Sequence, residues 1–174
     1  MIFREFSVIP SAFDESLVPP ELAPLEHVLY SATMKARDVA ADHPDSLVIG
    51  ADTVVVIDES ILGKPSDMAD AARMLRALSG RTHEVYTGVA VLLGGVERAS
   101  AECTQVTFRK LSNEIISRYI ASGEPMDKAG AYAIQGKGAV LIEAISGCYP
   151  NVVGLPLYRL SALLSEYGIE PLCE

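Results

Sequence analysis

The stretch Leu47-Val48-Ile49-Gly50-Ala51-Asp52-Thr53-Val54-Val55-Val56-Ile57 constrains this chain more than any other. Its β-branched residues favour extended backbone, and the aliphatic run predicts a buried strand. Asp52 stands in the middle of it. A carboxylate in such surroundings must be paired, hydrogen-bonded or metal-bound, because an isolated buried charge is too costly. Taken alone, Asp52 reads equally well as a polar cap facing solvent at the end of the strand.

The flanking pattern predicts helices. Leu25, Val28, Leu29, Ala32, Ala36 and Val39 recur near a 3.6-residue period and predict a helix over 22–41, with Pro24 in its first turn. After the turn Leu62-Gly63-Lys64-Pro65, a second helix is predicted with Ser66 as N-cap and Asp67 and Asp70 in its first turn. Its apolar face is Met68, Ala71, Ala72, Leu75 and Leu78, and Gly80 ends it. Strands are expected over 85–93 and 103–108 around the turn Gly94-Gly95. Ser112 caps a short helix carrying Ile115, Ile116, Tyr119 and Ile120, closed by Gly123, and 130–145 reads as strand and loop. An amphipathic helix over 156–167 with Leu157, Leu160, Leu163 and Leu164 completes the chain. Helices and strands mix without strict alternation, which predicts an α/β fold with a mixed sheet rather than a doubly wound parallel one.

No repeat or low-complexity linker interrupts the 174 residues, a length suited to one continuous domain, 1–174. Fourteen Lys and Arg against 23 Asp and Glu give a net charge of −9, which argues against a nucleic acid polymer as partner. A small anion is still admissible, because a few local lysines dominate at short range. Cys103, Cys148 and Cys173 form no CxxC pair, so neither a disulfide framework nor a thiolate zinc site is signalled. That usage, the lack of a long apolar stretch in Met1-Ile2-Phe3-Arg4-Glu5-Phe6 and the lack of a membrane-length apolar run give the expectation of a cytoplasmic protein without a membrane partner.

Common catalytic signatures are absent. Gly130 and Gly136-Lys137 approach a P-loop, but the spacing is one residue too long and Gly138 stands where a Ser or Thr is needed. His83-Glu84-Val85-Tyr86-Thr87 begins like a zinc-protease helix, yet ends in Thr and lies in a strand-like setting. Neither GxSxG nor a strand-borne GxGxxG occurs. What does stand out is a set of charges beside small or rigid residues. Lys64 lies between Gly63 and Pro65, although by itself it reads as a solvated turn lysine. Asp127-Lys128-Ala129-Gly130-Ala131-Tyr132 places two charges where backbone can approach a ligand closely, or simply forms a tight loop before a strand. Asn151-Val152-Val153-Gly154-Leu155-Pro156 leads into the last helix. Carboxylates at Glu15, Asp52 and Asp127 would suit a divalent cation, and Lys35, Lys64 and Lys128 would face phosphate oxygens. Attack of water on a phosphoryl group uses that combination.

These segments resemble the Maf family of nucleoside triphosphate pyrophosphatases, relatives of the inosine triphosphatases. The matches are Val48-Ile49-Gly50-Ala51-Asp52-Thr53-Val54-Val55, Leu62-Gly63-Lys64-Pro65, Leu78-Ser79-Gly80 with His83-Glu84-Val85-Tyr86-Thr87-Gly88, Ser122-Gly123-Glu124-Pro125 through Asp127-Lys128-Ala129-Gly130-Ala131-Tyr132 to Ile134-Gln135-Gly136, and Asn151-Val152-Val153-Gly154-Leu155-Pro156. The resemblance implies an elongated mixed α/β sheet with flanking helices, two lobes around a cleft, and often a homodimer. It implies hydrolysis of a nucleoside triphosphate to monophosphate and pyrophosphate with magnesium, manganese or cobalt. By the same resemblance Asp52 handles the attacking water and, with Glu15, touches the metal. Lys35 matches the lysine of the family's Lys-Ala helix, Lys64 the phosphate-facing lysine, and Lys128 a substrate-binding position. Thr53 and Gln135 match positions of the branch preferring dTTP and UTP. Family members open with a strand and a Ser-x-Ser-x-Arg-Arg element, for which this sequence shows no match ahead of Val8-Ile9-Pro10-Ser11. That departure motivates an alternative, a nucleotide-binding regulator of septum formation with little or no catalysis.

Overall fold

The computed structural model describes residues 6–170; Cys173 and the amino-terminal segment through Glu5 lie outside them. A 3-10 turn, Glu15–Leu17, precedes α1 (Pro24–Asp42), β1 (Val48–Ile57), β2 (Ser60–Leu62), α2 (Met68–Leu78), β3 (Thr82–Leu93), β4 (Val96–Phe108) and α3 (Asn113–Ile120). Three further 3-10 turns, Glu124–Asp127, Ala129–Ala131 and Gly136–Leu141, lead into β5 (Ile142–Ser146), α4 (Tyr149–Val153) and α5 (Leu157–Ser165). One five-stranded sheet runs in the order β2-β1-β3-β4-β5. The β1–β2 and β4–β5 pairs are antiparallel, with a register shift between Thr107 and Phe108.

The chain divides into two compact units. The first takes residues through Asp52, Thr87–Glu102 and the chain from Gly154; the second takes Thr53–Tyr86 and Cys103–Val153. In the first unit, strand alternation explains the aliphatic run. Val48 and Ala90 pack with Ala32 and Ala36 of α1, whereas Leu47, Ile49, Val89 and Val91 pack with Leu160, Leu163 and Leu164 of α5. A strand covered by a helix on each face needs apolar residues at both parities. Asp52 has the parity of Val48 and Gly50, so its side chain leaves β1 on the α1 face.

The second unit buries α2 and α3 against the sheet, with Leu75, Leu78, Val85, Val106, Phe108 and Ile116 at its centre. Five local expectations change along the chain. The N-cap of α2 is Asp67, whose side chain accepts the Asp70 N–H; Ser66 lies one residue outside, its own N–H held by the Asp70 carboxylate. Met68 is 64% exposed and Met74 takes its place in the core, because a helix starting at Met68 turns that first residue outward. β4 extends back to Val96 through a largely uncovered stretch, and in 130–145 two 3-10 turns precede the strand, which is confined to β5. Leu157 faces solvent at the start of α5 while Leu160, Leu163 and Leu164 are buried.

Candidate active site

Close backbone approach sets the first group of site residues. A Cβ on Gly50 would stand 2.3 Å from the Ala32 carbonyl oxygen, and one on Gly88 the same distance from that of Val28. With glycine on β1 and β3, α1 therefore lies hard against the sheet. Lys35, one residue from Ala36 on that helix, reaches Asp52, and its Nζ is 2.6 Å from Asp52 Oδ1. The same Nζ is 2.6 Å from Glu15 Oε1.

Glu15 arrives from an otherwise irregular segment that is moored to α1. Asp38 Oδ2 accepts from Ser11 Oγ at 2.8 Å and from the Ala12 N–H at 2.7 Å, and Phe13 meets Tyr30 edge-on. Asp14 then caps the 3-10 turn by accepting the Ser16 N–H. Side-chain exposure grades inward, from 54% at Glu15 to 20% at Lys35 and 11% at Asp52. Burial alone would lower the proton affinity of Lys35, but its hydrogen bonds to Asp52 and Glu15 outweigh that and hold the ammonium above its ordinary range. Sequence reasoning singled out Glu15, Lys35 and Asp52; Asp38, which anchors the segment carrying Glu15, it did not.

Two carboxylate oxygens thus converge on a single cation. The divalent metal implied by the family resemblance fits that donor pair, since magnesium is commonly held by one or two carboxylates with substrate phosphates and water. Among the described residues no three His, Cys, Asp or Glu side chains gather as a metal cluster. The expected third carboxylate, Asp127, instead pairs with Lys128 at 2.6 Å.

The second group belongs to the other unit. Gly63 O accepts the Gly130 N–H at 3.0 Å, tying the Gly63-Lys64-Pro65 turn to the turn that follows Asp127 and Lys128. Gly130, at φ +67°, lies against Val55, where a Cβ would come within 2.9 Å. Lys64 is exposed. The hydrogen bond from Lys128 holds the Asp127 carboxyl below its usual range against the opposing effect of burial, and the charges of Lys128 and Lys64 add to the lowering.

Thr53 follows Asp52 on β1 and is half-buried, while Gln135 is exposed just ahead of the Gly136–Leu141 turn. Next to Gln135 lies an arrangement that sequence reasoning did not single out, built on Tyr119 and Glu124. Burial pushes the Glu124 carboxyl up, but hydrogen bonds from the Lys137 and Gly138 N–H groups and from Tyr119 win and hold it below the usual carboxylate range. His83, in β3 as its strand-like setting suggested, shares a 2.8 Å hydrogen bond between its Nε2 and the Tyr132 hydroxyl and meets Phe108 edge-on.

Against known proteins, the model of the family described as Maf-like protein matches residues 1–167. The chain belongs to that family. A protein of Moorella thermoacetica named dTTP/UTP pyrophosphatase is 53% identical over 167 residues, which are 95% of this chain and 86% of that protein. A Clostridium botulinum protein of the same name is 47% identical over 173 residues, 97% of this chain and 89% of its own length. One from Dictyoglomus thermophilum, again so named, is 49% identical over 166 residues, covering 94% and 86%.

Proposed function

We propose that this chain hydrolyses nucleoside triphosphates, dTTP and UTP foremost, to the monophosphate and pyrophosphate. The observation that carries the reading is the Lys35 ammonium held between Asp52 and Glu15, in a chain about half identical to proteins named dTTP/UTP pyrophosphatase.

Hydrolysis with those products breaks the link between the α and β phosphoryl groups, adding water across it. Asp52 is the group that accepts the proton of the attacking water, and a positioned carboxylate typically contributes 10²–10⁴-fold as a general base. Lys35 fixes the Asp52 oxygen that it bonds, at 2.6 Å, and so orients the carboxylate. Lys64 and Lys128 supply positive charge to phosphate oxygens, where charge neutralisation does much of the work of phosphoryl transfer. A magnesium, manganese or cobalt ion would be held by Asp52 and Glu15 together with the substrate, and would neutralise phosphate charge as the bond breaks. Thr53 and Gln135 face the nucleoside in this reading. The setting is the cytoplasm, and the assembly is a homodimer, which light scattering tests.

The experiment incubates this chain with dTTP, UTP, CTP and GTP plus magnesium or manganese and separates all phosphate products. Monophosphate with pyrophosphate, fastest for dTTP or UTP and lost in Asp52→Asn, is the expected result. Binding without turnover would replace the enzyme with a nucleotide-binding regulator. Full turnover in Asp52→Asn would take Asp52 out of the chemistry.

A further inference from the structure

The segment 133–138, which carries Gln135, is fastened at both ends within the second unit. Tyr119 Oη accepts the Ala133 N–H at 3.1 Å on one side of Gln135. On the other, Glu124 Oε2 accepts the Lys137 N–H at 3.0 Å and Oε1 accepts the Gly138 N–H at 2.9 Å. The Tyr119 hydroxyl in turn donates to Glu124 Oε1 at 2.9 Å, which joins the two fastenings into one. Hydrogen bonds to an ionised carboxylate are among the stronger ones, and the ring of Tyr119 is buried in the core.

The glycines on either side of Lys137 fit the same arrangement. A Cβ on Gly136 would stand 2.7 Å from Glu124 Oε2, and one on Gly138 would stand 2.6 Å from Tyr119 Oη. Any side chain at either place would push the clasp open. The exposed Gln135 is thereby left as a side chain on a fixed backbone.

We propose that Tyr119 and Glu124 are positioning residues that fix Gln135 for reading the base of the nucleotide, and so set the preference for a pyrimidine over a purine. The inference rests on the reading above that Gln135 faces the nucleoside. Its physical basis is the character of a carboxamide, which offers both donors and an acceptor. On a mobile loop such a group accommodates either base edge. On a fixed one it leaves polar groups unpaired when the wrong base enters, which is how a built site discriminates.

The test measures affinity by calorimetry, in the presence of magnesium, for the non-hydrolysable α,β-methylene analogues of UTP and GTP. The full chain is compared with Gln135→Ala, Glu124→Gln and Tyr119→Phe, the last of which keeps the buried ring and deletes only the hydroxyl. Both Gln135→Ala and Tyr119→Phe are expected to lower the UTP-over-GTP affinity ratio, by about tenfold for Tyr119→Phe. Glu124→Gln, which keeps one acceptor oxygen, falls between, and amide exchange at Ala133, Lys137 and Gly138 quickens in step. Equal loss for both analogues in Tyr119→Phe and Glu124→Gln would reduce these residues to structural supports and overturn the proposal. An unchanged ratio in those two variants beside a fallen one in Gln135→Ala would overturn it while leaving Gln135 as the reader. No pyrimidine preference in the starting chain, or no effect of Gln135→Ala, would remove the base-reading role and the proposal with it. Because binding is read rather than turnover, these outcomes stay separate from the success or failure of the hydrolysis assay.

Discussion

A methyl group added to Gly50 would come within 2.3 Å of the carbonyl oxygen of Ala32, a separation that neither backbone can yield to without moving α1. The contact is what brings Lys35 to Asp52. Gly50→Ala is accordingly expected to destabilise the protein by about 1–3 kcal/mol, the usual cost of overpacking a tight core. Hydrolysis should fall more than stability at temperatures where the variant is still folded, since α1 must shift away from β1. Urea melts paired with initial rates check this; a variant folded and fully active would show that α1 has slack that the geometry denies.

Lys35→Met removes the cation shared by Asp52 and Glu15 and leaves two carboxylates without it. Breaking a partly buried ion pair from one side is expected to cost about 1–3 kcal/mol, less than for a fully buried pair because Glu15 is more than half exposed. Turnover should drop roughly 10²-fold or more, as for loss of a group that sets a general base. Lys35→Arg keeps the charge in a larger, planar head, so it should restore stability before it restores rate. Comparing the two variants by melting and by kcat separates charge from shape.

How much of this was readable in advance depends on whether the signal was local. β1 and α1 were legible because an aliphatic run and a 3.6-residue period leave few alternatives, and Asp52 stood out for being polar among them. β2 was not, for its hairpin turn uses Asp58 and Glu59 at φ +49° and +62° rather than glycine or asparagine. An ion pair from Arg81 to Asp58 supports that turn, a partner 23 residues away that no local pattern announces. The first half of β4 escaped because its residues are mostly uncovered and carry no burial pattern. Asp67 displaced Ser66 as N-cap since both residue types cap well and only the backbone decides between them. Tyr119 read correctly as core, but its hydroxyl's engagement with Glu124 and Ala133 depends on contacts between turns.

Acid sensitivity should centre on His83. Burial pushes its proton affinity down from an ordinary value of 6.5 to about 4, and its Nδ1 has no hydrogen-bond partner among the described residues. A proton gained there would place a charge and an unpartnered N–H in the core beside Phe108 and Tyr132. Between pH 6.5 and 4 the unfolded chain binds the extra proton and the folded one resists it, so the stability is whole above pH 6.5 and declines as pH falls toward 4. The loss attributable to this one group is about 3 kcal/mol by the bottom of that window. Urea denaturation at pH 7 and pH 5 for the protein and for His83→Gln checks it. The difference between the two pH values should shrink in the variant, and an undiminished difference would assign the sensitivity to carboxylates instead.

Lys64 offers the cleanest separation of binding from folding. Its turn is held by main chain, Gly63 O accepting the Gly130 N–H, and the buried Pro65 follows, so the exposed ammonium contributes little to the shape of the loop. Lys64→Ala should therefore stay within about 0.5 kcal/mol of the starting stability. Its charge does reach Asp127, where it helps hold the carboxyl below its usual range after the stronger effect of Lys128. With one of the two lysines gone, KM for UTP is expected to rise about tenfold, since a charge-assisted hydrogen bond to phosphate is worth roughly that much. The rise should shrink as salt is added, because the lost interaction is between exposed charges and screening weakens it in the intact protein too. Lys64→Arg should recover most of the affinity. Equal KM values for the protein and Lys64→Ala at low ionic strength would take Lys64 out of the phosphate grip and leave Lys128 as its holder in this unit.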